Sequence, residues 1–175
     1  MQTLSGKHIN LRALEPEDLE FLFKTENDES FWEISHTQKP FSKFLLKQYL
    51  ENSHLDIYEA KQLRLIIEEN KANQPIGMID LFDFEPHHKR AGIGILIHTD
   101  FQGNGFASEA IQLLVKYSFL HLHLHQLYAN ITSDNEKSLL LFQKQNFKEV
   151  GIKKDWIFSH GNFKDEILFQ LINEK

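Results

Sequence analysis

The 175-residue sequence predicts an α/β (α+β) fold, a mixed, mostly antiparallel twisted sheet of about six to seven strands with helices on both faces. Three observations carry this. Apolar periodicities follow the order β-α-α-β-β-β-α-β-α-β-β. Three consecutive strand-like runs joined by short turns make an antiparallel meander. The last of these, the fourth strand of the chain, then leads through a helix into another strand, and strands next to both kinds of connection imply a mixed sheet.

In order along the chain, His8–Ala13 alternates and reads as a short strand. Glu15-Pro16-Glu17-Asp18 opens the first helix, with Pro in the first turn and acids at the positive end. Leu19, Leu22 and Phe23 form its apolar stripe. Residues 31–40 read as irregular. Ser42 is the expected N-cap of a second helix reaching about Asn52, with Phe44, Leu45 and Tyr49 turned inward. The meander follows: Gln62–Glu69, a turn over Asn70–Pro75, Ile76–Phe84 carrying Asp80 and Asp83, a turn over Glu85–Lys89, and Arg90–Ile97. A helical run from Ser108 to Leu120 repeats apolar residues at Ala110, Ile111, Leu114, Val115 and Phe119. Gln126–Thr132 is a strand, and Ser133 or Asp134 is expected to cap a helix from Asn135 to about Asn146. Lys148–Ile172 reads as two strands joined at Ser159-His160-Gly161-Asn162. No repeat, low-complexity segment or linker interrupts this, so residues 1–175 read as one domain.

Composition narrows the chemistry. The absence of cysteine excludes disulfides, thiolate-bound metals and a cysteine nucleophile. A net charge of −6 argues against a nucleic-acid partner and is compatible with a cationic substrate. No apolar run approaches the roughly 20 residues of a membrane span, and the opening Met1–Lys7 lacks a signal-peptide core, so a cytoplasmic location without a membrane partner is expected. On a strand, His121, His123 and His125 would share a face suited to zinc. The run ends a helix, however, where histidine complements the negative terminus, and no metal is expected.

The most telling segment is Gln102-Gly103-Asn104-Gly105-Phe106-Ala107, between the strand run Ile93–Ile97 and the helix. A glycine turn there aims backbone N–H groups from a helix N-terminus, where the macrodipole is positive, and can hold a pyrophosphate. The turn follows roughly the fourth strand and lacks the G-x-G-x-x-G spacing of a dinucleotide site. It also lacks the Gly-Lys-Ser/Thr ending of a P-loop.

Gln102-x-x-Gly105-x-Ala107 resembles the Q/R-x-x-G-x-G/A signature of the GNAT superfamily of acyl-CoA N-acyltransferases. Asn135–Phe147 resembles that superfamily's fourth-helix pattern, N-x-x-S/A-x-x-L-Y-x-x-x-G-F. The Leu11-Arg12-Ala13-Leu14 opening and the Lys164-Asp165-Glu166 ending are similar to the branch of ribosomal-protein N-terminal and spermidine N-acetyltransferases. The resemblance implies a GNAT-like fold and acetyl-CoA as co-substrate. The acceptor would be a small amine or a peptide N-terminus, attacked directly in a ternary complex, and a homodimer is common in the branch. It places the pyrophosphate on the amides of Gly103, Asn104, Gly105, Phe106, Ala107 and Ser108, beside Gln102. Ile95, Leu96 and Ile97 would offer backbone groups to the pantetheine arm and to the thioester oxygen. Asn135 would lie at the pantetheine, and Asn130 would line the neighbouring channel.

Two positions depart from the pattern. The position of the usual tyrosine that protonates the CoA thiolate is Phe142; Ser138, one turn earlier on the same face, matches a serine that serves the thiolate in the N-terminal acetyltransferase branch, so the resemblance implies Ser138 as proton donor, with water as the alternative. The strand acid that serves some relatives as base falls at Gly92, leaving Asp80, Asp83, Glu85, Glu33 or a water chain. These gaps keep open a non-catalytic acyl-CoA-binding sensor. Phe31, Trp32, Phe41 and Tyr49 either shape the acceptor pocket or pack in the core, and Trp156 and Phe158 are expected to pack. Glu26, Asp28, Glu29 and Glu33 could draw in a polycation.

Overall fold

The computed structural model describes residues 2–174 and contains one 7-stranded sheet in the order β1-β2-β3-β4-β5-β7-β6. The strands are β1 (Ile9–Arg12), β2 (Leu63–Glu69), β3 (Gln74–Glu85), β4 (Arg90–Ile97), β5 (Gln126–Thr132), β6 (Lys148–Ser159) and β7 (Asn162–Ile172). Every pairing is antiparallel except β4 with β5. The helices are α1 (Leu19–Glu26), α2 (Trp32–Ser35), α3 (Lys43–Glu51), α4 (Ile57–Ala60), α5 (Phe106–Leu120) and α6 (Glu136–Lys144). The expected mixed sheet and meander are present, with α2 and α4 as short additions.

The two-residue alternation of the strands sorts side chains between two layers. Ile9, Ile67, Ile79, Leu81, Ile93, Leu127 and Phe169 face α5 and α6, where Ala110, Ile111, Leu114 and Phe142 complete the main core. Ile66 and Met78 face the opposite way, against Leu22 of α1 and Leu46 and Leu50 of α3. This corrects the inward face expected for α3. Ser42 does cap it, accepting from Leu45 N at 3.1 Å, but Phe44 is 71% exposed and Leu45 43%. The i, i+4 pair Leu46 and Leu50 is the buried stripe, with Tyr49 half-buried beside it.

The helix from Asn135 is capped by Asn135 itself, whose Oδ1 accepts from Ser138 N at 3.2 Å, rather than by Ser133 or Asp134. The β6–β7 hairpin turns through His160 (φ 51°) and Gly161 (φ 81°), the two left-handed residues of a tight hairpin turn. Because β5 pairs only with Glu166–Ile172 of β7, the outer half of this hairpin projects past the sheet. Trp156 and Phe158 are therefore 59% and 65% exposed instead of packed. No helix among the described residues is long and apolar enough to cross a membrane.

Candidate active site

The parallel β4–β5 ladder consists of Arg90↔Gln126, Ala91↔Leu127 and Gly92↔Tyr128, and then stops. Beyond it, Ile93–Ile97 remain bonded to β3, and Ala129–Thr132 to β7. The two strands thus diverge into a cleft whose inner edges carry backbone groups with no ladder partner. That opening lies where a chain-like ligand such as a pantetheine can complete the hydrogen bonding. Ile95 and Leu96 stand on its β4 edge, each half-buried, and Ile97 is buried. The Ile97 carbonyl already accepts the Gln102 side-chain amide at 3.0 Å, so Gln102 ties the end of β4 to the turn that follows.

The turn has the geometry that its glycines require. Gly103 and Gly105 have φ of 80° and 81°, where a Cβ is disfavoured, and no atom lies within 4 Å of a Cβ built on either. Gly105 caps α5, and Glu109 N is the first amide to bond back, to Gly105 O at 3.1 Å. The amides of Phe106, Ala107 and Ser108 thus form an open first turn pointing outward. Asn104 buttresses the loop by donating to the Phe101 and Gln102 carbonyls at 3.2 and 3.3 Å. The Ser108 hydroxyl accepts from Gln145 at 3.2 Å and links α5 to the end of α6. A groove of about 580 Å³ runs along the turn, and Lys7 and Lys116 place positive charge on its wall.

On α6, Ser138 is half-buried, and Phe142 on the same face is 3% exposed with its ring edge-on to Phe147 at 5.1 Å. Phe142 is therefore a core residue, and the polar surface of this face comes from Ser138. Asn135 spends its side-chain oxygen on capping the helix. Asn130 is exposed on β5 and accepts from Lys153 of β6 at 3.2 Å. His121 ends α5, and its backbone N–H returns to Tyr117 O at 2.9 Å.

The acids divide sharply. Glu26 and Asp80 share Arg64, which donates to Asp80 at 2.7 and 2.9 Å and also to Glu26. Glu33 accepts from Lys164 and from the Ser159 hydroxyl, both at 2.7 Å. Those two bonds hold its carboxyl below the usual range. Asp28 accepts from the Ser30 hydroxyl at 2.6 Å and its amide at 3.0 Å, which lowers it likewise. Of the four acids expected to attract a polycation, only Glu29 has no such partner among these bonds. Glu85 accepts from His87 N at 3.2 Å within its own turn. Asp83 alone among the proposed bases faces the cleft vertex, where the Tyr128 hydroxyl donates to it at 3.4 Å. In the region of the acceptor-pocket aromatics, Phe31 is buried against His98, the Trp32 ring nitrogen donates to Glu26 O at 2.9 Å, and the Arg64 guanidinium lies over the Tyr49 ring. The Phe41 amide donates to Asn27 Oδ1 at 2.7 Å.

Residues 8–148 match the acetyltransferase (GNAT) domain family. The chain belongs to the GNAT family. The spermidine N(1)-acetyltransferase of Vibrio cholerae is 29% identical over 97% of this chain and 96% of its own length. The crystal structure of the V. cholerae spermidine N-acetyltransferase in complex with CoA and spermine superimposes with a TM-score of 0.86 at 28% identity, covering 95% of this chain and 96% of that one. A dodecameric structure of the same organism's enzyme superimposes with a TM-score of 0.80 at 29% identity, covering 95% of each. As a GNAT acetyltransferase, the chain transfers an acetyl group from acetyl-CoA to an amine.

Proposed function

We propose that this GNAT enzyme acetylates a primary amine of a polyamine by direct attack on acetyl-CoA in a ternary complex. The observation that carries the reading is the likeness, over nearly the whole of both chains, to the V. cholerae enzyme whose structure holds CoA and spermine. The local electrostatics support it. Glu26 of α1 and Asp80 of β3 flank the one guanidinium of Arg64 on β2 and leave the trio one net negative charge, with Asp80 in register with Gly94 of β4. A cation with several ammonium groups gains from such a field, and a neutral amine does not.

In this reading the first-turn amides of α5 and the glycine turn hold the pyrophosphate. The free backbone edge at Ile95 and Leu96 takes the pantetheine, and a β4 amide bonds the thioester oxygen as charge develops on it. Asn135 and Asn130 stand at the two sides of the channel, and the Ser138 hydroxyl returns a proton to the departing thiolate. Among the described residues no group takes the Ser138 hydroxyl, which leaves it available for that step. Self-association of copies of this chain belongs to the same reading, with exposed Trp156, Phe158 and Phe163 of the projecting hairpin as apolar surface.

The test is CoA release from acetyl-CoA across polyamines, monoamines, aminoglycosides and peptides with free N-termini. The highest kcat/KM is expected with a polyamine. A peptide as the best acceptor, or equal rates with monoamines, overturns the acceptor assignment. For Ser138→Ala, kcat should fall by roughly 10²-fold, the scale of a lost general acid, while the CoA dissociation constant stays put. An unchanged kcat hands the proton to water.

A further inference from the structure

The acid that some relatives carry on β4 is absent at Gly92, and the surroundings explain how its place is filled. A Cβ on Gly92 would lie 2.2 Å from the Phe82 ring, so Phe82 occupies the space that any side chain there would need. Phe82 pairs with Gly92 across the β3–β4 ladder, and Gly92 pairs with Tyr128 across the β4–β5 ladder. The Phe82 and Tyr128 rings meet edge-on over the glycine at 5.8 Å. Immediately after Phe82 the β3 register slips before Glu85, and Asp83 takes φ of 46°. In an unbroken strand Asp83 would follow the alternation onto the α5 side, into the core. The bulge instead lets Phe84 fill that core position and leaves Asp83 exposed, with its carboxylate reaching past the side-chain-free Gly92 to the Tyr128 hydroxyl.

Gly92↔Tyr128 is the last rung before β4 and β5 part, so this pair stands at the closed end of the cleft. Resting on the assignment of that cleft to acetyl-CoA and an amine, we propose that Asp83, through the Tyr128 hydroxyl, is the proton acceptor for the incoming amine. The charge at this vertex thus comes from β3 by way of a bulge, and not from β4. Among the other acids once available for the role, Glu33 and Asp80 are each bonded to a cation, and Glu85 holds its own turn. The Asp83–Tyr128 contact is long, as catalytic hydrogen bonds commonly are before substrate arrives.

The proton balance is simple. The ammonium gives one proton to the Tyr128 oxygen as Tyr128 passes its own to Asp83, and the free amine attacks the thioester carbon. A C–N bond forms and the C–S bond breaks. The second N–H proton reaches the thiolate to give CoA, and Asp83 returns its proton to solvent. Arg90 is the cation facing the pair, and Gln170, the β7 residue opposite Tyr128, is neutral. Burial, together with the Asp83 charge, raises the Tyr128 hydroxyl above its ordinary range, so it stays protonated and able to relay.

The experiment is Asp83→Asn and Tyr128→Phe, assayed with acetyl-CoA and the best amine of the panel from about pH 6 to 10. Asparagine is isosteric and tolerates the left-handed backbone, so the fold should survive, and an unchanged CoA dissociation constant verifies it. For D83N, kcat/KM for the amine should drop about 10²-fold at neutral pH, with the deficit shrinking toward pH 10 as free amine becomes abundant. Y128F removes the relay and should lose about as much as D83N, and D83E should recover part of the activity. Glu85→Gln makes the same charge change two residues away and should leave the profile unaltered. If D83N keeps its rate within about threefold at every pH, the Asp83 assignment is overturned while the acetylation assignment stands. If wild type turns over no amine, the acceptor assignment fails and takes this one with it.

Discussion

Gly77→Ala is expected to lower the melting temperature by about 6–12 °C. A Cβ at this position would sit 2.2 Å from the Leu96 carbonyl oxygen and about 3 Å from the Ile97 backbone and side chain. The obstacle is backbone, so no rotamer relieves it, and β3 and β4 must separate where Gly77 pairs with Ile97. Overpacking of a buried site costs about 1–3 kcal/mol, and the upper end applies when the main chain has to move. For a chain of this size each kcal/mol is roughly 2–4 °C. The same shift moves the β4 edge that faces the cleft, so affinity for CoA should fall alongside stability. A variant that melts within 2 °C of wild type, by calorimetry or circular dichroism, would contradict the close approach of the two strands.

Gly105→Ala is expected to do the reverse, sparing most of the fold and damaging co-substrate binding. Here a Cβ meets nothing within 4 Å, and the cost to the free protein is the left-handed backbone alone, about 1–2 kcal/mol. The space it fills is where an anion would approach the amides of α5. The dissociation constant for CoA should rise about tenfold or more, equivalent to at least about 1.4 kcal/mol. Dephospho and truncated CoA analogues separate the terms. Loss of affinity should persist for every analogue that keeps the pyrophosphate and vanish for a pantetheine fragment without it. Equal loss for the fragment would place the anion elsewhere.

These two glycines show what the sequence does and does not disclose. The order of elements was legible because each strand and helix carries its own period, and Gly105 was legible because its neighbours in sequence are also its neighbours in space. Gly77 announced nothing, since the atom that forbids a side chain belongs to Leu96, on the adjacent strand. The acids illustrate the same limit. Glu26, Asp28 and Glu33 look like a free anionic patch until Arg64, Ser30 and Lys164 are found bonded to them, two of these from distant elements. Side-chain type does not single out the inward face of α3, where Phe44, Leu45, Leu46 and Leu50 are all apolar; the phase of the helix buries Leu46 and Leu50 and exposes Phe44 and Leu45. Asp83 was one of several possible bases, and a register slip in β3, invisible to alternation, distinguishes it.

The short β4–β5 ladder has a thermodynamic corollary. With only three rungs, the β4–β5 ladder is the short seam between two leaves of the sheet, β1–β4 and β5–β7–β6. In the proposed reading a co-substrate between them acts as a missing strand, and whatever hydrogen bonds it adds exist only in the folded protein. By mass action, 100-fold excess over its dissociation constant should add about 2.7 kcal/mol to the unfolding free energy. The abundance of an intact enzyme would then track the supply of its own acyl donor, with the unliganded chain the form most open to proteolysis.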